Sequence, residues 1–125
     1  AARPGVIRRV LKQAYPSGNN IDAALVELLY EPTRREGAAE AFRGFINLFD
    51  DDLAPDLMRE MTQPVDLIWG ERDPWEPIQE AGRWAKTINC VRSLHVIPEA
   101  GHCPHDESPD EVNAVLCQLL QQTTA

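Results

Sequence analysis

The sequence is short of positive charge. It has 12 Lys and Arg against 20 Asp and Glu, a formal net charge of −8 at pH 7, whereas binding to nucleic-acid phosphates needs clustered Lys and Arg. The pairs Arg8–Arg9 and Arg34–Arg35 stand isolated in acidic surroundings and read as solvated helix faces. No nucleic-acid partner is therefore expected. No apolar run approaches the roughly 18 to 20 residues that span a bilayer, so no integral membrane segment is expected in these residues. Cysteine is scarce as well. Cys90, Cys103 and Cys117 form no C-x-x-C and leave an odd number, the usage of a reducing compartment, where a thiol is a small buried apolar group. The chain opens Ala1-Ala2-Arg3-Pro4, without initiator Met, charged leader or apolar signal stretch. We therefore expect a fragment of something longer, with no targeting information at its start. Internal repeats and low-complexity stretches are also missing. What remains is 43% apolar and 26% charged in 125 residues, an ordinary globular composition in a length able to bury a core.

The pattern changes character midway. In the first half apolar residues recur only at helical spacing. Val6, Ile7, Val10, Leu11 and Ala14 share one face, and the segment breaks at Pro16-Ser17-Gly18-Asn19-Asn20. Ile21, Leu25, Leu28 and Leu29 mark a second helix, stopped near Pro32, and Ala38, Ala41, Phe42, Phe45, Ile46 and Phe49 mark a third, ending at Asp50-Asp51-Asp52. A short fourth piece covers residues 55–61. From residue 64 the register is different. Val65-Asp66-Leu67-Ile68-Trp69, closed by Gly70, predicts a largely buried strand. Residues 77–87 predict a helix with Pro77 in its first turn, and residues 93–97 a second strand. The last helix carries Ser108 as cap, Pro109 at N1 and Glu111 at N3, an S-x-x-E box. Its apolar stripe is Val112, Val115, Leu116, Leu119 and Leu120. Strand, helix, strand, helix is the order of a parallel crossover. Two parallel strands do not make a stable sheet, so the fold class is α/β but incomplete as a domain. Residues 1–62 form a helical segment placed before residues 63–125, the outer part of a larger sheet.

In doubly wound sheets the working residues lie just beyond the C-terminal ends of the strands. Gly70-Glu71-Arg72-Asp73-Pro74 follows the first strand and Pro98-Glu99-Ala100-Gly101-His102 the second. A carboxylate and an imidazole 29 residues apart would then share one edge of the sheet. There Asp73 can accept the Nδ1–H of His102, fix its tautomer and stabilise the imidazolium formed in proton transfer. Each residue alone is better read as loop chemistry, since Asp-Pro initiates turns; the pair outweighs its members. The run His102-Cys103-Pro104-His105-Asp106-Glu107 contains metal-ligand types, but His-x-x-His lacks the i, i+4 spacing, Pro104 interrupts it and no second cluster exists. No metal is expected, and His105 is placed at the surface. Asp106 and Glu107 are read as favourable beside the positive end of the last helix. Cys103, adjacent to its own would-be base, lacks the reach of a nucleophile. Trp75 either lines a substrate pocket or packs, while Trp69, Trp84 and His95 read as structural. None of Ser17, Ser93 and Ser108 stands in a G-x-S-x-G elbow, and no G-x-D-x-G or G-x-C-x-G replaces it.

The wording around these two residues resembles a known family. Leu67-Ile68-Trp69-Gly70-Glu71-Arg72-Asp73-Pro74-Trp75-Glu76-Pro77 is similar to the acid loop of α/β-hydrolases, and Gly101-His102-Cys103-Pro104-His105-Asp106-Glu107-Ser108-Pro109 to their histidine loop. In detail both are similar to plastid and cyanobacterial hydrolases related to pheophytinase. The resemblance covers residues 64–121; residues 1–62 agree with the family's cap (lid) in position and type only. It implies a catalytic triad with Asp73 as acid and His102 as general base, an esterase without cofactor, and a small apolar ester as substrate, such as the phytyl ester of a chlorophyll breakdown product. It also implies a plastid (chloroplast) location, with cytoplasm the alternative. The nucleophile and the N-terminal half of the fold are missing from these residues, so the chain alone is expected to be inactive. Aspartate-nucleophile epoxide hydrolases and dehalogenases use similar loops. A non-catalytic ligand-binding member or a truncated product of the fold also remains open.

Overall fold

The computed structural model describes residues 3–47 and 54–123. Phe49 and the run Asp50-Asp51-Asp52, expected to end the third helix, lie outside the described residues. α1 (Pro4–Ala14) starts with Pro4 in its first turn, where the missing N–H costs nothing, and closes with the Tyr15 N–H on the Leu11 carbonyl at 2.8 Å. α2 (Ala23–Thr33) is capped by Asp22, whose side chain accepts the Leu25 N–H at 2.7 Å. Leu11, Ala14, Tyr15 and Val26 make one core cluster, with Ile7, Ile21, Leu25 and Cys103 packed against it. Three details differ from the sequence reading. Pro32 lies inside the last turn of α2 rather than before it. Leu28 and Leu29 are exposed, although Leu25, one turn earlier on the same face, packs with Val26 against the α1 cluster. In α3 (Ala38–Asn47) no residue is buried, since α2 is its main neighbour among the described residues. α4 (Ala54–Glu60) follows and buries Met58.

β1 (Val65–Gly70) and β2 (Val91–Ile97) pair in parallel, joined by α5 (Ile78–Thr87). Pro77 is the residue before α5 rather than its first. β2 begins two residues earlier than the alternation suggests. Arg92 breaks that alternation but is held across the ladder, its guanidinium paired with both oxygens of Asp66. α6 (Pro104–Glu107), a single turn, was not foreseen and changes the start of α7 (Pro109–Thr123). Ser108 terminates α6 and offers its carbonyl to the Val112 N–H at 3.2 Å; no side-chain cap bond from it exists among the described residues. Val112 of α7 packs with Ile97 and Ala100, and Ile68 and Val115 close the cluster. Leu116 and Leu120, on the edge of the expected stripe, stay exposed. Trp69 and Trp84 meet edge to face at 5.5 Å, half-buried.

The Asp66 carboxylate is held below its ordinary range, first by the Arg92 bond and then by the Ser93 hydroxyl at 2.6 Å. A lowered folded value contributes stability that is fully present above the unfolded value, about pH 4, and is lost as pH falls through the folded value. We therefore expect Asp66→Asn to lower the urea midpoint at pH 6 and to lose that deficit progressively below about pH 4. A deficit unchanged between pH 6 and pH 3 would contradict this.

Candidate active site

Two glycines bring the strand-end loops together. A Cβ on Gly70 would lie 1.9 Å from the Gly101 carbonyl oxygen, and a Cβ on Gly101 would lie 2.1 Å from the Ala14 carbonyl oxygen. Neither position admits a side chain. With them in place the parallel ladder continues past the strands: Glu71 donates to the Ile97 carbonyl at 3.0 Å and Arg72 to the Ala100 carbonyl at 2.8 Å. Glu99 turns the second loop in the left-handed region, φ 60°, a conformation that costs a non-glycine residue about 1 kcal/mol. It is pinned by its N–H to Glu71 at 3.1 Å and by an ion pair with Arg72 at 2.7 Å.

This frame puts Asp73 beside His102. The Asp73 Oδ2 lies 2.9 Å from His102 Nδ1, and Oδ1 lies 3.2 Å away. Oδ1 also accepts the Trp75 N–H at 2.9 Å and the Glu76 N–H at 3.0 Å. The turn reading and the pairing reading of Asp73 are thus both present, shared between its two oxygens. A carboxylate offers only lone pairs, so Nδ1 is the nitrogen that donates, and in the neutral ring Nε2 is left as the acceptor. The Asp73 side chain is 6% exposed and that of His102 38%, a shielded acid behind an accessible ring. Trp75 stands edge-on to that ring, centroids 4.7 Å apart at 70°, and is itself exposed.

The remaining candidates fall away from this pair. Cys103 is half-buried against the helical cluster, and its thiol is pushed up by burial, the reverse of an activated nucleophile. Tyr15 donates to Asp106 at 2.7 Å and is pushed up by burial and then by that bond. His105 is exposed. Among the described residues no group of three or more His, Cys, Asp or Glu could hold a metal ion. His95 contacts the Ser93 hydroxyl at 3.0 Å within the Asp66 network, and that hydroxyl is spent on Asp66. Ser17 gives its hydroxyl to Glu107. Glu107 precedes α7, as the sequence suggests, but it is also buried, which the sequence reading did not include. No periodicity in the sequence marks that burial. Surface hollows beside the α1–α2 loop, lined by residues such as Asn20, Leu25 and Asp110, touch none of Asp73, Trp75 and His102.

Two loops at the ends of adjacent parallel strands, one bearing a shielded acid and the other its histidine, define a hydrolase-type α/β architecture. Residues 1–115 match the sequence model of the alpha/beta hydrolase family, and the chain belongs to that family. It is 30% identical over 122 residues to the chloroplastic pheophytinase of Arabidopsis thaliana. It is 26% identical over 121 residues to the uncharacterised hydrolase YugF of Bacillus subtilis (strain 168). These alignments take in 90% and 96% of the chain but only 24% and 43% of those proteins. Among solved structures it is similar to a serine hydrolase involved in carbazole degradation, the CarC enzyme, with a TM-score of 0.82 at 21% identity. It is also similar to a mutant of the meta-cleavage product hydrolase CumD, with a TM-score of 0.77 at 18% identity. The chain is covered to 95% and 98%, those structures to 48% and 47%. The chain thus corresponds to a portion of the α/β-hydrolase fold, with its parallel sheet represented by two strands among the described residues.

Proposed function

We propose that Asp73 and His102 are the acid and general base of a catalytic triad that hydrolyses a carboxylic ester, with the nucleophile supplied by a part of the fold not contained in these residues. The observation that carries this is the 2.9 Å approach of Asp73 Oδ2 to His102 Nδ1 at the ends of adjacent strands. His102 Nε2 takes the proton of a serine hydroxyl as it attacks the ester carbonyl, then delivers it to the departing alcohol. In the second half-reaction the same nitrogen takes a proton from water as the water oxygen attacks the acyl carbon, and returns it to the serine oxygen as the acyl–serine bond breaks and the carboxylic acid departs. Asp73 stays ionised throughout and offsets the imidazolium charge. Residues 1–62 are the cap and residues 63–125 the end of the core. The cap's exposed Leu28, Phe42 and Phe45 suit an apolar substrate, and the pheophytinase relative supports a long-chain ester in a plastid.

The test is turnover by the full-length protein of a phytyl carboxylic ester, with an alkyl epoxide assayed in parallel. Ester hydrolysis supports the reading; epoxide opening without ester hydrolysis would move the chain to the aspartate-nucleophile branch, and saturable binding without turnover of either to a non-catalytic one. Trp75, against the base and open to solvent, is proposed to contact the substrate. Trp75→Ala is expected to raise KM by about tenfold, the value of a few lost apolar contacts, and to lower kcat by less. An unchanged KM would remove Trp75 from the site.

A further inference from the structure

Glu107 is the one fully buried charged side chain among the described residues, 2% exposed. Burying a carboxylate is unfavourable unless hydrogen bonds replace its water, and here three donors do so. Oε2 accepts the Gly101 N–H at 2.5 Å. Oε1 accepts the Ser17 N–H at 2.9 Å and the Ser17 hydroxyl. Gly101 immediately precedes His102, whose own N–H donates to the Ala14 carbonyl at 2.8 Å. The peptide units on both sides of Gly101 are therefore tied, one to Glu107 and the other to the end of α1. Glu107 also ties the α1–α2 loop to the histidine loop through Ser17. A residue without side chain, such as Gly101, has the freest backbone; only these bonds and the close packing against Ala14 and Pro16 hold it.

We infer that Glu107 is a positioning residue: by fixing the Gly101 peptide against the α1–α2 loop, it sets the direction in which His102 presents its ring to Asp73 and to the substrate. The inference rests on the reading of His102 as general base. Its chemistry is specific to an acceptor at both oxygens. A glutamine has the same shape but one amide nitrogen, which must face either Gly101 or Ser17 donor to donor. That mismatch displaces the Gly101 peptide without opening a cavity.

The experiment uses the full-length protein with 15N-labelled histidine, comparing wild type, Glu107→Gln and Ser17→Ala. Three quantities are followed: the low-field Nδ1–H signal of His102 bonded to Asp73, the steady-state constants for the ester, and the thermal melt. Glu107→Gln is expected to shift and broaden the His102 signal and to lower kcat roughly ten- to a hundredfold with KM within about twofold, the cost of a small misplacement of a reacting group. Ser17→Ala removes one of the three bonds and should move the signal in the same direction by less. A folded Glu107→Gln with an unaltered His102 signal overturns the inference. If that variant does not fold, Ser17→Ala decides alone, and an unmoved signal there overturns it. Should wild type hydrolyse no ester while the signal still responds, the ester reading fails and the positioning role stands. Should wild type be active while the signal is indifferent, the reverse holds.

Discussion

Replacing His102 by alanine in the full-length protein is expected to lower kcat for its ester by about 10^6-fold, and Asp73→Asn by about 10^4-fold, near 5 kcal/mol of lost transition-state stabilisation. The second figure has a specific local cause. Oδ1 of Asp73 holds the turn by accepting from Trp75 and Glu76. An asparagine must keep its carbonyl oxygen on those two donors, which turns its NH2 toward His102 Nδ1. Nδ1 then has to accept, Nε2 carries the proton, and the ring can no longer take one from a nucleophile. The fold is untouched, so the melt should hardly move while kcat collapses. Equal losses in stability and activity would instead make Asp73 a turn residue and nothing more. In both variants KM should change far less than kcat, because the pair acts on the transition state.

Gly101→Ala should cost about 3 kcal/mol of stability. Its Cβ would lie 2.1 Å from the Ala14 carbonyl oxygen and 2.3 Å from Pro16 Cδ. These are a backbone atom and a ring atom, and neither can turn aside as a long side chain could. Gly70→Ala meets the Gly101 carbonyl oxygen at 1.9 Å and should behave alike. Gly82→Ala is the control. Gly82 lies within α5 with nothing inside 4 Å of its Cβ, so alanine there should stabilise by about 0.5 to 1 kcal/mol. Denaturant midpoints of the three variants check the set. A Gly101→Ala protein as stable as wild type would mean that α1 does not lie against the histidine loop.

How far the sequence foretells this arrangement depends on the kind of interaction. Strand-end placement carries most of it: Gly70 and Pro98 mark where β1 and β2 stop, and topology alone then places Asp73 and His102 on one edge. Local chemistry is less legible. Ser108 and Glu111 spell a capping box, yet the turn of α6 immediately before uses Ser108 to end itself. Helical period marks an apolar face but cannot say which part of it has a neighbour. Leu28, Phe42 and Leu120 fit their stripes and are exposed. Glu107 was out of reach altogether, because its partners Gly101 and Ser17 meet only once α1 is folded onto the histidine loop.

The most direct test of the central claim is covalent labelling of the full-length protein with an alkyl fluorophosphonate, followed by peptide mass spectrometry. The account predicts one modified serine, outside residues 1–125, whose labelling rate falls by several orders of magnitude in His102→Ala and in Asp73→Asn. Labelling at Ser17, Ser93 or Ser108, or at a rate indifferent to His102, would contradict it.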